Sequence, residues 1–194
     1  THLANEYNVS FVPLREIDNW WDTSNLGEVI REVLPPDLPA VVLLQAGQRP
    51  QCINAELLSK LSAPGNTVRF WTKAEIENYL LHADTIARLS GAASEAVEQR
   101  ITDAAESLHD VSRSVFCSAS IRIATAEDPR PALLEAEEIF DKIWMDPKRR
   151  LEIVRGTQVL RLVNNWRESQ GYREVTNRKI AKSNKPHIRE GQTL

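Results

Sequence analysis

The sequence is poor in the residues that form disulfide bonds, metal sites or membrane anchors. Only two of its 194 residues are cysteine, Cys52 and Cys117, and they lie far apart. This excludes a disulfide-rich scaffold and predicts free thiols in a reducing compartment. Because no apolar run reaches about 18 residues, we expect no transmembrane helix. The first residues contain neither a basic region nor an apolar stretch, which predicts no signal peptide and a cytoplasmic protein.

The motifs of common catalytic and nucleotide-binding sites are also missing. The sequence has no Gly-x-Ser-x-Gly turn, no Walker loop and no Gly-x-Gly-x-x-Gly. Its histidines are scattered and lack the spacing of zinc ligands: His2, His82, His109 and His187. We therefore interpret these histidines as surface or packing residues, and no common enzyme class is indicated by a motif of its own.

Charge is distributed unevenly along the chain. Residues 147–194 contain 12 Lys or Arg, 4 Glu and no Asp, a formal charge of +8, whereas residues 1–146 carry −11. The C-terminal part is therefore the candidate for contact with a polyanion such as DNA. The basic residues predicted to contact DNA are Lys148, Arg149, Arg150, Arg155 and Arg161. A basic C-terminal segment also serves solubility or docking on an acidic partner domain, and the sequence leaves these alternatives open.

Hydrophobic patterns predict an α/β half followed by an all-helical half. Strands are expected at 9–14, 40–44 and 67–71, with helices between them around 26–34 and 53–61. The run at 40–44 is continuously apolar, which is typical of a strand covered on both faces of a parallel sheet. The order strand, helix, strand, helix, strand favours a small parallel sheet with flanking helices. We divide the chain into an α/β core (1–82), a helical insertion or hairpin (83–146) and a basic helical segment (147–194).

The second half shows helical periodicity only. One apolar stripe at spacings of four and three predicts about five helical turns packed against a neighbouring helix: Val97, Ile101, Ala104, Leu108, Val111 and Val115. Residues 121–123 leave a short strand and a helix end equally open. Pro131 is predicted to open a helix that runs to about Met145 and offers apolar residues for burial: Leu133, Leu134, Ile139, Phe140 and Ile143. Further helices are expected at about 158–168 and 177–182.

Two carboxylates, Glu75 and Glu77, follow the predicted strand at 67–71 and open a helical turn. Ligands bind beyond the carboxyl ends of parallel strands, so the pair is a candidate metal site. The competing interpretation is a charged cap, because acidic side chains are favourable at a helix N-terminus. The neighbouring strand ends at Gln45 and Gly47, and neither supplies the carboxylate oxygens that hard cations prefer. Two glutamates alone make a poor two-metal site.

Residues 155–158, Arg-Gly-Thr-Gln, precede a predicted helix and offer a second candidate site. Backbone N–H groups at such a helix start can bind a phosphate. A lone glycine at this position is more typical of an ordinary turn, which is the competing interpretation.

The segment 71–81, with its core Glu-Ile-Glu-Asn-Tyr-Leu-Leu, resembles a segment of TOPRIM domains in OLD-family and related AAA/ABC-type ATPases. In those domains the segment follows an acidic strand. Many of these bacterial proteins serve anti-phage defence and join an ATPase to a C-terminal metal-dependent nuclease. The resemblance extends over the strands at 10–14 and 41–44, the helical insertion, and Gly156 with its following helix.

Departures from the family pattern imply that the metal-dependent nuclease activity is lost. The resemblance places an Asp-x-Asp pair where this chain has Gln45 and Gly47, and a lysine where it has Thr157. The first TOPRIM strand, with its glutamate, would precede Thr1, so the chain resembles either a degenerate TOPRIM nuclease or a fragment of one. Of the acidic set only Glu75 and Glu77 remain as catalytic or metal-binding candidates.

The resemblance therefore implies a non-catalytic TOPRIM-like domain that serves assembly, partner docking or DNA contact in a defence-type ATPase. It implies an oligomer, with no cofactor of its own and no membrane association. The implied partners are the ATPase domain or subunit, a companion effector protein and DNA. A first alternative is an active DNA endonuclease that uses Mg²⁺ or Mn²⁺. A second alternative is a helical module that binds nucleic acid through its basic C-terminal segment.

Overall fold

The computed structural model describes residues 40–51, 54, 55, 58, 66–123 and 128–183. The predicted strand at 9–14 and the predicted helix around 26–34 lie outside these residues, as does most of the helix expected at 53–61. The described part is mostly helical and contains a small parallel sheet, so the expectation of an α/β region followed by helices is confirmed at this coarse level.

The sheet consists of two parallel strands, β1 (Ala40–Leu44) and β2 (Asn66–Phe70). Ala40 pairs with Asn66 and Leu44 with Phe70, so the strands are in register along their whole length. This confirms the predicted parallel pairing of the two runs.

The expectation that both faces of β1 are covered is wrong. Leu44 and its neighbour Val68 in β2 are buried, but Val41 and Leu43 are 67% and 53% exposed. Side chains alternate between the faces of a strand, so these two residues share one face, and no described residue buries it. In β1, therefore, a continuously apolar run does not mean that both faces of the strand are buried.

A 3₁₀ helix (Ile76–Leu80) follows the sheet and leads into α1 (Ala83–Ser90). The sequence predicted a helical turn here, and the structure tightens it into the 3₁₀ form. The side-chain oxygen of Asn78 accepts a hydrogen bond from the backbone N–H of Glu75 at 2.9 Å and so caps the start of this helix. Helix α1 ends at Gly91, whose φ of 84° lies in the left-handed region that suits glycine.

Six further helices complete the described chain: α2 (Ser94–Glu106), α3 (His109–Ile123), α4 (Arg130–Trp144), α5 (Pro147–Ile153), α6 (Gly156–Ser169) and α7 (Asn177–Ser183). The predicted helices from Pro131, at 158–168 and at 177–182 are thus confirmed, with Pro131 in the first turn of α4. Residues 121–123 belong to the end of α3. Among the residues described after Leu81 there is no strand.

The predicted five-turn stripe is wrong because the helix breaks at Ser107 and Leu108. The hydroxyl of Ser107 donates to the carbonyl of Ala104 at 2.8 Å and ends α2. Helix α3 then starts in a new orientation and buries Phe116 and Cys117 instead. Val111 and Val115, which the stripe would bury, are 52% and 44% exposed. The first half of the stripe is buried as expected.

Helices α3 and α4 pack around a small aromatic cluster. The rings of Phe116 and Phe140 meet at 5.5 Å between centroids, and Phe140 stacks on Trp144 at 5.1 Å. Aromatic pairs at such distances stabilise by about 0.5–1.5 kcal/mol beyond their buried area. Leu134, predicted to be available for burial, points away from this cluster and is 65% exposed.

The main core joins the 3₁₀ helix, α1, α2 and α6, together with residues before α6 and around α7. Its buried members are Leu80, Ile86, Ala87, Val97, Ile101, Ala104, Ala105, Val154, Val159, Leu160, Val163, Val175 and Ile180. The segments 83–146 and 147–194 therefore share one core. Within the described parts of the chain, no helix is both long and apolar enough to span a lipid bilayer.

Candidate functional site

The candidate site is the region where the sheet passes into the helices, which we call the junction (residues 45–49, 71–78 and 152–157). Backbone hydrogen bonds join its segments. The N–H of Trp71 donates to the carbonyl of Leu44 at 2.8 Å, and the N–H of Gly47 donates to that of Ala74 at 3.0 Å. The N–H of Ala74 donates to the carbonyl of Glu152 at 2.7 Å. Three pieces of chain that are distant in sequence are therefore held together at the carboxyl ends of the strands.

Glu75 connects the junction to the start of α6. Its carboxylate accepts hydrogen bonds from Arg155 Nε at 2.9 Å, from the backbone N–H of Thr157 at 2.9 Å, and from the Thr157 hydroxyl. Thr157 lies in the first turn of α6, where backbone N–H groups lack partners within the helix. Glu75 is the N-cap residue of the 3₁₀ helix, as the cap interpretation proposed, and its carboxylate also caps the first turn of α6, 82 residues further along the chain.

The contacts of Glu75 favour its ionised form. Burial would raise the pKa of this carboxyl, whose side chain is only 13% exposed. The hydrogen bonds from Thr157 and the neighbouring Arg155 guanidinium outweigh that effect and hold the pKa below its ordinary value. The carboxylate is therefore a charged anchor rather than a proton donor at neutral pH.

Glu77 lies in the first turn of the 3₁₀ helix and is partly buried. It forms no hydrogen bond or ion pair with the described residues. Across the described chain, no group of three or more His, Cys, Asp or Glu side chains is arranged to hold a metal ion. A metal at Glu75 would have to displace Arg155 and Thr157, and Glu77 alone supplies a single carboxylate.

Asn78 is the polar centre of the junction and is only 1% exposed. Its amide nitrogen donates to the carbonyls of Leu151 at 2.8 Å and Val154 at 2.9 Å, while its oxygen accepts from Glu75. Both amide hydrogens therefore have partners, which makes this burial of a polar group favourable. No sequence pattern marks this role of Asn78, because an Asn in a short helical run is commonly exposed.

Gly156 permits the close approach of α6 to the 3₁₀ helix. A Cβ atom at this position would lie 2.5 Å from the backbone nitrogen of Asn78 and 2.8 Å from the carbonyl carbon of Glu77. Neither sequence interpretation of residues 155–158 anticipated this packing. The Thr157 N–H, which a phosphate would need, is already bound to Glu75.

At the end of β1 the residues are cationic or neutral. Gln45 is exposed, and Gly47 adopts a φ of 64° in the turn that follows the strand. The Arg49 guanidinium donates to the carbonyls of Ala46 at 2.8 Å and Gln45 at 3.1 Å, and burial lowers its pKa to about 10. It remains charged at neutral pH, so this end of the sheet is unfavourable for a divalent cation.

Lys73 adds a second cation to the junction. Its ammonium donates to the carbonyl of Asn78 at 3.3 Å and lies 4.9 Å from the centre of the Tyr79 ring. Burial lowers the pKa of Lys73, and the nearby charge of Glu152 opposes that shift. The junction therefore contains three basic side chains, those of Arg49, Lys73 and Arg155, and three glutamates, Glu75, Glu77 and Glu152.

The structure separates the five predicted DNA-contact residues into two groups. Lys148, Arg149 and Arg161 are exposed. Arg150 is only 8% exposed, donates twice to the carbonyl of Trp144 at 3.1–3.2 Å and pairs with Glu106 at 2.6 Å. Its guanidinium is therefore engaged inside the fold, which disfavours DNA contact, and the assignment stays a prediction.

Arg155 is half exposed but is held by Glu75. The charge of Arg155 is therefore already neutralised by a carboxylate of this chain, so Arg155 contributes to the junction. The other three predicted DNA-contact residues, in α5 and α6, are exposed cations that form no ion pair within the described chain.

Comparison of the chain with protein-family models, with curated proteins and with solved structures gives no significant match.

Proposed function

We propose that this chain is a catalytically degenerate TOPRIM-like domain of a defence-type ATPase, acting as an assembly, partner-docking or DNA-contact module. The observation that carries the proposal is the engagement of Glu75. Its carboxylate, one of two candidates left from the acidic set, binds Arg155 and Thr157 and so holds α6 against the junction. A carboxylate used in this way contributes to the fold rather than to metal-dependent chemistry.

The charges around the junction support the same proposal. Divalent cations such as Mg²⁺ prefer several carboxylate or carbonyl oxygens in an open site. Here the turn after β1 carries Gln45 and Gly47 where the family pattern has acids, and the buried guanidinium of Arg49 lies next to them. Lys73, whose ammonium donates to the carbonyl of Asn78, adds positive charge to the junction. Cytoplasmic location, an ATPase partner and a companion effector belong to the proposal through the resemblance alone.

Plasmid cleavage tests the proposal directly. Purified protein is incubated with supercoiled plasmid and Mg²⁺ or Mn²⁺, and we expect no conversion to nicked or linear DNA. Titration calorimetry with either metal is expected to show no binding at the junction. Glu77→Ala removes the second carboxylate, which forms no hydrogen bond or ion pair with a described residue, and Glu98→Ala removes an exposed glutamate of α2 as a matched control.

Cleavage that Glu77→Ala abolishes and Glu98→Ala preserves would overturn the proposal in favour of an active Mg²⁺- or Mn²⁺-dependent endonuclease. Cleavage that neither substitution affects would indicate a contaminating nuclease, and repeated purification then decides the matter. A metal that raises the thermal midpoint only when Glu77 is present would count equally against a non-catalytic role.

A further inference from the structure

Five exposed cations lie at the ends of α1 and α7 and in the loop between α6 and α7. They are Arg88, Arg173, Arg178, Lys179 and Lys182, and we call them the α1–α7 surface. None of them belongs to the group predicted from the sequence to contact DNA. Four of them belong to the basic segment 147–194, and the fold adds Arg88 from α1.

Packing of α7 sets the direction of its charges. Val175 and Ile180 are buried in the main core and anchor the helix. Arg178 lies two positions before Ile180 and Lys182 lies two positions after it, so both side chains lie on the face of the helix opposite Ile180. Their Cβ atoms are about 5–6 Å apart, as in any i, i+4 pair. The helix therefore presents two adjacent cations to solvent.

The loop before α7 brings Arg173 to the same region. Its backbone N–H donates to the carbonyl of Ser90 at 3.1 Å, at the end of α1, and α7 itself packs against α1. The buried guanidinium of Arg167 donates to the carbonyls of Tyr172, at 3.0 Å, and Arg173. These bonds fix the backbone that carries Arg173, so the surface is preorganised.

No described residue neutralises the charges of the α1–α7 surface. In the described chain, none of its five cations forms an ion pair; the only polar contact of their side chains joins Lys179 to the carbonyl of Glu174 at 3.4 Å. Two exposed acids are nearby on the same elements. Asp84 accepts from the Ser94 hydroxyl and Glu174 precedes α7. A clear excess of positive charge therefore faces solvent.

The composition of this surface favours a phosphate backbone over a protein partner. Protein interfaces contain an apolar centre. None of the large apolar side chains exposed in the described chain lies in α1, in α7 or in the loop before α7. Single-stranded nucleic acid binds through exposed aromatic rings. The nearby aromatic rings, of Trp166 and Tyr172, are partly buried against each other at 5.7 Å. A surface of cations without exposed apolar or aromatic side chains is suited to contacts with the phosphates of double-stranded DNA.

We propose that the α1–α7 surface binds the phosphate backbone of double-stranded DNA without reading its sequence. This inference rests on the proposed role as a DNA-contact module and gives that role a location. It does not depend on the junction being inactive, because the surface shares no residue with the junction.

The test measures the affinity of the full chain for a fluorescently labelled mixed-sequence duplex by anisotropy, at salt concentrations from about 50 to 200 mM KCl. With five phosphate contacts, the logarithm of the affinity should fall against the logarithm of salt with a slope of about −4.5. Arg178→Gln combined with Lys182→Gln should make the slope shallower by about two and weaken binding about tenfold at low salt. Circular dichroism and the thermal midpoint show whether the variant folds.

A matched control removes the same charge elsewhere. Lys148→Gln combined with Arg149→Gln changes two exposed cations of α5, which belong to the group predicted from the sequence, and should change affinity less than about twofold. Equal losses in both variants would overturn the inference in favour of general electrostatic attraction. A larger loss in the α5 variant, stronger binding of a single strand, or no binding by the wild type at low salt would also overturn it.

If the α7 variant does not fold, the single substitution Arg178→Gln replaces it and should reduce the slope by about one. Failure of this inference is distinct from failure of the proposed function. Plasmid cleavage at the junction would refute the non-catalytic role and leave the affinity measurements unchanged, whereas loss of the α1–α7 contact leaves the cleavage result unchanged.

Discussion

Replacing Gly156 by alanine should destabilise the protein, although alanine is the better helix former. Gly156 is the first residue of α6, where alanine would normally stabilise by up to about 1 kcal/mol. The added Cβ would lie 2.5 Å from the backbone nitrogen of Asn78, 2.7 Å from its side-chain oxygen and 2.8 Å from the carbonyl carbon of Glu77. Two of these atoms belong to the backbone, so a side-chain rotation cannot relieve the overlap.

The loss of unfolding free energy in Gly156→Ala follows from the contacts that α6 loses when it moves away from the 3₁₀ helix. The amide of Asn78 holds the α5–α6 connection through two hydrogen bonds, and Glu75 holds Thr157. Each neutral bond contributes about 1 kcal/mol and the half-exposed charged contact a similar amount. After the alanine propensity is subtracted, we expect a loss of about 2–3 kcal/mol. For a chain of this size the thermal midpoint should fall by roughly 8 °C.

Urea unfolding followed by tryptophan fluorescence and circular dichroism measures this cost. Gly91→Ala is the control, because nothing lies within 4 Å of its Cβ position, and only its φ of 84° opposes the change. We expect the control to cost about 1–2 kcal/mol. Hydrogen exchange at the Thr157 N–H should speed up in Gly156→Ala alone. A Gly156→Ala protein as stable as the wild type would refute the close-approach reasoning.

Three further changes test other contacts. Glu75→Gln should cost about 1 kcal/mol at pH 7. The folded pKa of Glu75 lies below its ordinary value, so the difference in unfolding free energy between the wild type and Glu75→Gln should disappear as pH falls below about 4.3 and through that folded pKa. Urea unfolding of both proteins at pH 7 and pH 3 measures this difference. Asn78→Asp places a carboxylate against two carbonyls in a buried site and should lower the free energy of unfolding by about 4 kcal/mol at pH 7. Arg150→Met should lower the free energy of unfolding by about 2–3 kcal/mol, because the Trp144 carbonyl loses its donors. Glu106→Gln should lower it by less than about 1 kcal/mol, since Glu106 is half exposed. Equal effects of the two substitutions on urea unfolding would contradict this asymmetry.

Element positions were predictable where the pattern was local. The proline at position 131 opens α4, the apolar period defines α6, and two β-branched or aliphatic runs form the parallel pair. The break after α2 was not predictable from period, because the spacing of apolar residues continues across it. Hydrogen bonds of Ser107 decide the helix end, and the stripe beyond it becomes exposed.

The junction was predictable only in part. Glu75 was recognised as a cap or a ligand, but its partners lie 80 and 82 residues away and no local pattern marks them. The basic run of Lys148, Arg149 and Arg150 looks uniform in the sequence. A helix rotates each residue by about 100°, so the third side chain turns inward toward Trp144 while the first two remain exposed.

The contacts of Glu75 also place an energetic limit on metal-dependent chemistry at the junction. A metal that uses this carboxylate must replace the Arg155 and Thr157 bonds, which together contribute roughly 1–3 kcal/mol. Since each 1.4 kcal/mol is a factor of ten, the metal affinity would be reduced by about 10- to 100-fold relative to an open site. Binding would at the same time uncap α6 and weaken the core that α6 completes. The same carboxylate therefore cannot cap α6 and bind a metal at the same time, and any residual nuclease activity that depends on Glu75 should need a metal concentration about 10- to 100-fold higher than an open site would need.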